Sequence, residues 1–250
     1  MPGPYTQGVF FGMSAEDFAP FIESMQASLA RIIRQETVFA ADNLITFSKS
    51  LGFLDDPAFM APFNANAEGT SDRSPIWRRY VVAWAAHSAL RVEGDLVECA
   101  CYKGVTARIA ADYAGLKDQD RRYWLYDLFE HDSSMPHHPM AEHGPTLYQQ
   151  VCARFADLPN VTVVKGRAPQ AIAENGPDRI AFLHLDLNNA EAEIGTLDLL
   201  FDRMSPGGLI VLDDYGWAGY RAQKTAEDAW FAARGYRVLE LPTGQGLLIK

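Results

Sequence analysis

The end of the chain constrains the fold more than any other stretch. Residues 236–241 (YRVLEL) and 246–250 (GLLIK) are two strand-like runs joined only by Pro242 to Gln245. Parallel neighbours need a crossover of about a dozen residues or more, so a connection this short predicts an antiparallel hairpin. Upstream, short apolar runs at 95–99, 122–126, 161–165, 180–186 and 207–213 alternate with helical segments. That alternation belongs to a parallel sheet covered by helices on both faces. Between the last two runs, Ile194, Leu197, Phe201 and Met204 keep helical spacing until Pro206-Gly207-Gly208 interrupts it, and a further helix is expected over 219–234. A mostly parallel sheet with one reversed strand argues against an all-parallel nicotinamide-binding sheet.

The first ninety residues read as mostly helical. Phe18, Phe21, Ile22, Met25, Leu29, Ile32 and Ile33 recur at steps of three and four, predicting a helix over 17–35. The polar stretch Asn64 to Ser74 reads as a loop, and Pro75 suits the first turn of a helix whose apolar face is Ile76, Trp77, Tyr80, Val81, Trp84 and Ala85. The expected organisation is a helical extension or lid over 1–93, packed on a core of 94–250. There is no internal repeat.

Composition limits the partners. With 48% apolar and 22% charged residues the chain has globular composition, and at 250 residues it can bury a large core without staples. A net charge of -10 and the lack of a Lys/Arg run point away from nucleic acid. No stretch approaches the ~20 apolar residues of a membrane span, and MPGPYTQG lacks the pattern of a leader, so a cytoplasmic protein is expected. Three cysteines, Cys99, Cys101 and Cys152, fit a reducing compartment. Cys99 and Cys101 have no further ligand spaced near them and read as small buried side chains.

Open α/β sheets bind ligands beyond the carboxyl ends of their strands. The first core strand ends in Glu98-Cys-Ala100-Cys-Tyr102-Lys-Gly104-Val105-Thr106, a small-residue turn leading into a helix, where backbone N–H groups can receive an anion. The glycine-rich signature of dinucleotide binders is missing. The second strand ends in Asp127-Leu-Phe129-Glu130, and an acid there can accept both hydroxyls of a ribose, or can serve as a cap or solvated loop acid.

Taken in order, VECACYKGVTA, YDLFE, HLDLNN and PGGLIVLDDYG resemble the macrocin O-methyltransferase family of class I, S-adenosylmethionine-dependent enzymes. The likeness covers 75–235, and upstream DNLITFSKSLGFLDDPAF looks like leader segments of bacterial members. The resemblance implies an α/β fold with a Rossmann-like class I methyltransferase sheet, mostly parallel with an antiparallel C-terminal hairpin, preceded by N-terminal helices. It implies that Glu98, Gly104 and Thr106 surround the methionine part of the cofactor, that Asp127 holds the ribose, that Gly166 and Arg167 lie near the adenine, and that Ala100, Tyr102 and Phe129 also belong to the cofactor site. Ala100 and Val105 stand where glycines are common in the family.

The same resemblance makes Asp186, Asp213 and Asp214 ligands of Mg2+. Clustered carboxylates at neighbouring strand ends suit such a hard cation, although each could instead cap a helix or face solvent. Asn188 stands where the family carries its proposed base, an amide that cannot take a proton. Asn188-Asn189-Ala190-Glu191 also has the spacing of a capping box. The His131–His143 segment holds four of the six histidines. Following the Asp127 strand, it would overhang the site, which makes His137 or His138 a candidate replacement base. His184 reads as a satisfied core residue, and Tyr215 and Trp217 could stack on a sugar or pack in the core.

The expected activity is Mg2+-dependent O-methylation of a hydroxyl on a sugar, glycosylated natural product or polysaccharide. The partner is then a small-molecule acceptor, with homo-oligomer formation left open. A noncatalytic cofactor-binding module and an N-methyltransferase are the competing readings.

Overall fold

The computed structural model describes residues 5–31, 38–131, 135 and 139–250. The chain divides into two compact units, Met1–Tyr80 and Val81–Lys250. The division falls inside the helix α4 (Ile76–Ala89), whose first turn belongs with the N-terminal unit and whose remainder belongs with the sheet.

The N-terminal unit contains more than helices. Strands β1 (Tyr5–Thr6), β2 (Phe39–Ala41) and β3 (Leu44–Thr46) form a small sheet in that order. Its hairpin turns on Asp42 and Asn43, both at positive φ (52° and 55°), as a two-residue type I′ turn requires. Strands of two and three residues are too short for periodicity to reveal, which is why a mostly helical reading missed them. Helix α1 spans Ala15–Leu29, capped by Ser14, whose hydroxyl accepts from the Asp17 amide. The remainder of the expected 17–35 helix lies largely outside the described residues. The expected loop at 64–74 is a correction: α2 (Pro57–Asn66), capped by Asp56, and α3 (Gly69–Arg73) occupy most of it. Polar surface residues there are compatible with short helices anchored by Phe59 and Phe63, both fully buried.

The second unit carries a seven-stranded sheet. Its strands are β4 (Asp95–Cys99), β5 (Tyr123–Asp127), β6 (Val161–Lys165), β7 (Ile180–Leu185), β8 (Met204–Leu212), β9 (Leu239–Glu240) and β10 (Gly246–Ile249). Their order is β6-β5-β4-β7-β8-β10-β9. Only β10 runs antiparallel to its neighbours β8 and β9, as the short connection demands. Strand β8 starts earlier than expected, because Pro206-Gly207-Gly208 lies in the strand, where Gly207 takes φ 84° and the register against β7 shifts.

Helices α5 (Val105–Tyr113), α6 (Leu147–Arg154), α7 (Gln170–Asn175), α8 (Ala190–Leu200) and α9 (Arg221–Ala232) complete the unit. Its core includes Val97, Leu183, Leu185, Leu197, Ile210 and Phe231, each at most 1% exposed. No helix among the described residues is long and apolar enough to cross a membrane.

Candidate functional site

Strand order reverses on either side of β4, and a cleft of about 170 Å3 opens at the carboxyl ends of β4, β5, β6 and β7. Of the residues expected to bind a cofactor, Ala100, Tyr102, Asp127, Gly166 and Arg167 line it together. Asp186 and Asn188 face it from the end of β7. Glu98, Gly104, Thr106 and Phe129 are not among its walls, nor are Asp213 and Asp214.

The backbone around the cleft is held in conformations that side chains disfavour. Ala100 (φ 67°), Tyr102 (φ 49°), Phe129 (φ 59°) and Asn188 (φ 54°) are all left-handed. Each costs about 1–2 kcal/mol, so the surrounding structure must impose them. Asp127 imposes two: its Oδ2 accepts from the Tyr102 amide at 2.7 Å and its Oδ1 from the Phe129 amide at 2.6 Å. The carboxylate expected to hold a ribose thus also shapes the loops after β4 and β5. Gly104 has a packing reason for lacking a side chain, since a Cβ there would lie 2.8 Å from Phe155 at the end of α6. Val105, which stands where the family favours glycine, is buried in the first turn of α5.

Beneath the cleft a chain of buried polar groups crosses the sheet. The Tyr123 hydroxyl donates to Glu98 Oε2 at 2.6 Å, and His184 lies between two acids, Nδ1 3.4 Å from Glu98 Oε2 and Nε2 3.4 Å from Asp213 Oδ1. Gln245 Nε2 donates to the same Asp213 oxygen at 2.8 Å. Burial works to lower the His184 pKa, but the Glu98 charge and the bond to Asp213 outweigh it and push it well up. The thiols of Cys99 and Cys101 are pushed well up by burial first, which keeps them protonated and agrees with a packing role. His184 is buried, as a core residue was expected to be, and Glu98 and His184 are paired directly across β4 and β7.

The three acids expected to bind a metal do not form a closed centre. Among the described residues no three His, Cys, Asp or Glu side chains are gathered to hold an ion. Asp186 opens onto the cleft, whereas Asp213 is 9% exposed with one oxygen engaged by Gln245. The side chains as they stand do not fit a Mg2+ site.

Asn189, one residue later than expected, caps α8 by accepting from the Ala192 amide at 2.9 Å. That shift frees Asn188 to turn into the cleft wall, where Nδ2 lies 3.3 Å from Asp186 Oδ1. Asn188 Oδ1 is a buried acceptor with no partner among the described residues. An orphaned acceptor, the Asp127 carboxylate at the end of β5, and walls that include Tyr126, Leu128 and Ala168 fit an adenosine-bearing ligand.

His137 and His138 lie outside the described residues. His143, from the same segment, lines the cleft beside Tyr102, with ring centroids 5.4 Å apart. Its Nδ1 accepts from the Met140 amide at 3.2 Å. In the neutral ring the hydrogen therefore sits on Nε2, and His143 offers a donor rather than a base. Tyr215 is 2% exposed, donates to Asp228 and carries Lys224 Nζ 3.5 Å above its ring, so packing describes it rather than sugar stacking.

A family model described as Macrocin-O-methyltransferase (TylF) matches residues 83–235. The 8-demethyl-8-(2,3-dimethoxy-alpha-L-rhamnosyl)-tetracenomycin-C 4'-O-methyltransferase of Streptomyces olivaceus is 30% identical over 140 residues, which are 50% of this chain and 54% of that protein. The chain thus spans about half the length of that curated relative. Among solved structures, the O-methyltransferase NovP aligns with a TM-score of 0.62 at 19% identity, over 74% of this chain and 83% of its own. The calicheamicin methyltransferase CalS11 aligns with a TM-score of 0.60 at 15% identity, over 96% and 95%. The methyltransferase PaMTH1 of Podospora anserina, solved with S-adenosylhomocysteine, gives 0.50 at 13% identity, over 97% and 98%. At these identities the structural likeness establishes the fold, a Rossmann-like class I methyltransferase sheet with its antiparallel C-terminal hairpin.

Proposed function

We propose, for a chain that belongs to the macrocin O-methyltransferase family, that it methylates a hydroxyl of a sugar or glycoside with S-adenosylmethionine as donor. The observation that carries this reading is the cleft itself, which lies within the matched residues and has Asp127 and Asp186 in its walls.

Bound there, the donor would supply a methyl group on a sulfonium, already activated toward an oxygen nucleophile. The protein's work is then alignment and proton removal. Asp127 would accept the ribose hydroxyls while keeping the Tyr102 and Phe129 amides in place. Gly166 and Arg167 would flank the adenine. Asp186, turned by its contact with the Asn188 amide, would take the proton of an acceptor hydroxyl. His143 would orient the acceptor through its Nε2 hydrogen. The Mg2+ dependence that the family likeness suggests is a separate proposal, which would require Asp186, Asp213 and Asp214 to draw together from their present arrangement, and the roles assigned to the other residues do not depend on it.

Screening nucleotide sugars, glycosides and catechols for S-adenosylhomocysteine release tests the reading. Turnover of a glycoside hydroxyl is expected. Tight donor binding with no turnover on any of these classes would favour the noncatalytic module, which Asn188, Ala100 and Val105 motivate.

A further inference from the structure

Two buried carboxyl groups lie behind the cleft and take no part in the chemistry above. Glu193, in the first turns of α8, and Glu227, on α9, are both 0% exposed. Their carboxyl groups lie close enough to interact where α8 packs on α9. Glu193 Oε1 also accepts from the Leu187 amide at 2.9 Å. Leu187 sits between Asp186 and the left-handed Asn188, in the turn that walls the cleft.

Capping alone does not explain this arrangement. Asn189 already caps α8, and an exposed acid could reach a helix-start amide without the desolvation cost that burying two carboxyls incurs. A left-handed Asn188 needs an external hold on one side or the other, and Leu187 is where the chain provides it.

We propose that Glu193 is a positioning residue: braced by Glu227, its carboxyl group fixes the Leu187 amide and thereby holds the Asp186–Asn189 turn in the shape that receives the donor. The donor's identity rests on the reading above, whereas the hold on the turn does not. Burial first, then the charge of Glu227, pushes the Glu193 carboxyl well up, and burial pushes Glu227 up to about 7. Both shifts favour the protonated form, in which one carboxyl can donate to the other. Asp186, Cys99, Gln223, Lys224 and Asp228 are the other polar groups that bear on the pair.

The test compares Glu193→Leu, which fills the space without an acceptor, with Glu193→Gln. The glutamine keeps an oxygen for Leu187 and offers an Nε2–H to Glu227. Two readouts are needed: amide hydrogen exchange at Leu187, and calorimetric affinity for S-adenosylhomocysteine. Glu193→Leu should speed Leu187 exchange and weaken S-adenosylhomocysteine binding, each by roughly tenfold, the size of one lost buried hydrogen bond. Glu193→Gln should restore both to near wild type. A merely structural role would instead lower global stability without singling out Leu187. If Glu193→Leu does not fold, Glu193→Asp, which withdraws the carboxyl by one methylene, gives the same comparison. Unchanged Leu187 exchange and unchanged affinity in a folded Leu or Asp variant would overturn the proposal. Failure of the donor reading would show separately, as a wild type that does not bind S-adenosylhomocysteine, and Leu187 exchange would then decide the brace alone.

Discussion

Gln245 donates from Nε2 to Asp213 Oδ1 across 2.8 Å, tying the C-terminal hairpin to the acid at the end of β8. Gln245 is fully buried and its own Oε1 accepts from the Thr243 hydroxyl at 3.0 Å, so the turn of the hairpin braces the bond from behind. The reversed strand therefore anchors the acid that ends β8 as well as closing the sheet.

Replacing Gln245 by Ala removes a buried donor from Asp213 and should cost about 1–3 kcal/mol of stability. Gln245→Glu should cost more, because it sets a second carboxylate against Asp213 in place of a donor. Urea unfolding of the three proteins checks the order, and equal stabilities would mean that the bond contributes nothing.

Asp127→Asn should weaken S-adenosylhomocysteine binding by about 1–3 kcal/mol in calorimetry. The amide keeps one acceptor oxygen where the carboxylate serves both the Tyr102 and Phe129 amides, and its NH2 opposes one of them. Unchanged affinity in a folded variant would put the ribose elsewhere.

Stability should fall as pH rises across the buried pair. A carboxyl whose folded pKa is raised contributes stability that is complete below its unfolded value near 4.5 and is lost as pH rises through the folded value, about 7 for Glu227. The loss attributable to Glu227 is on the order of 2–3 kcal/mol between pH 5 and pH 8. Denaturant midpoints should therefore drop across that interval in wild type and drop less in Glu227→Gln. The same slope in both would show that Glu227 titrates normally.

Chelation tests the metal proposal. If Asp186, Asp213 and Asp214 draw together on a cation when substrates bind, then chelator, or Asn at any of the three, should reduce turnover by about a hundredfold while donor affinity changes little. Full activity under chelation would leave Asp186 as a carboxylate acting without metal. Asn188→Asp adds a carboxylate beside Asp186 in the cleft wall and should accelerate methylation if proton removal limits the rate.

Much of the sheet was legible in the chain because its determinants are local. Strands β4 and β6 fall at the expected 95–99 and 161–165, since a short apolar run between helical segments marks a strand. The hairpin followed from the length of its connection alone. Strand-end acids were likewise legible as chemistry: Asp127 and Asp186 line one cleft. What the chain did not disclose depends on which way side chains turn once strands are registered. Asp186 and Asp213 end neighbouring strands, yet one opens to the cleft and the other turns to Gln245, which only the docking of β10 against β8 brings near. The cap moved from Asn188 to Asn189 because the helix start is set by tertiary restraint on Leu187, and no spacing rule sees a carboxyl six residues on in sequence reaching back to that amide. Local pattern thus determined the main strands and helices of the sheet unit; three-dimensional packing decided where some of them begin and which polar groups meet, because pairing in a buried layer depends on register and burial, neither of which is a property of a segment by itself.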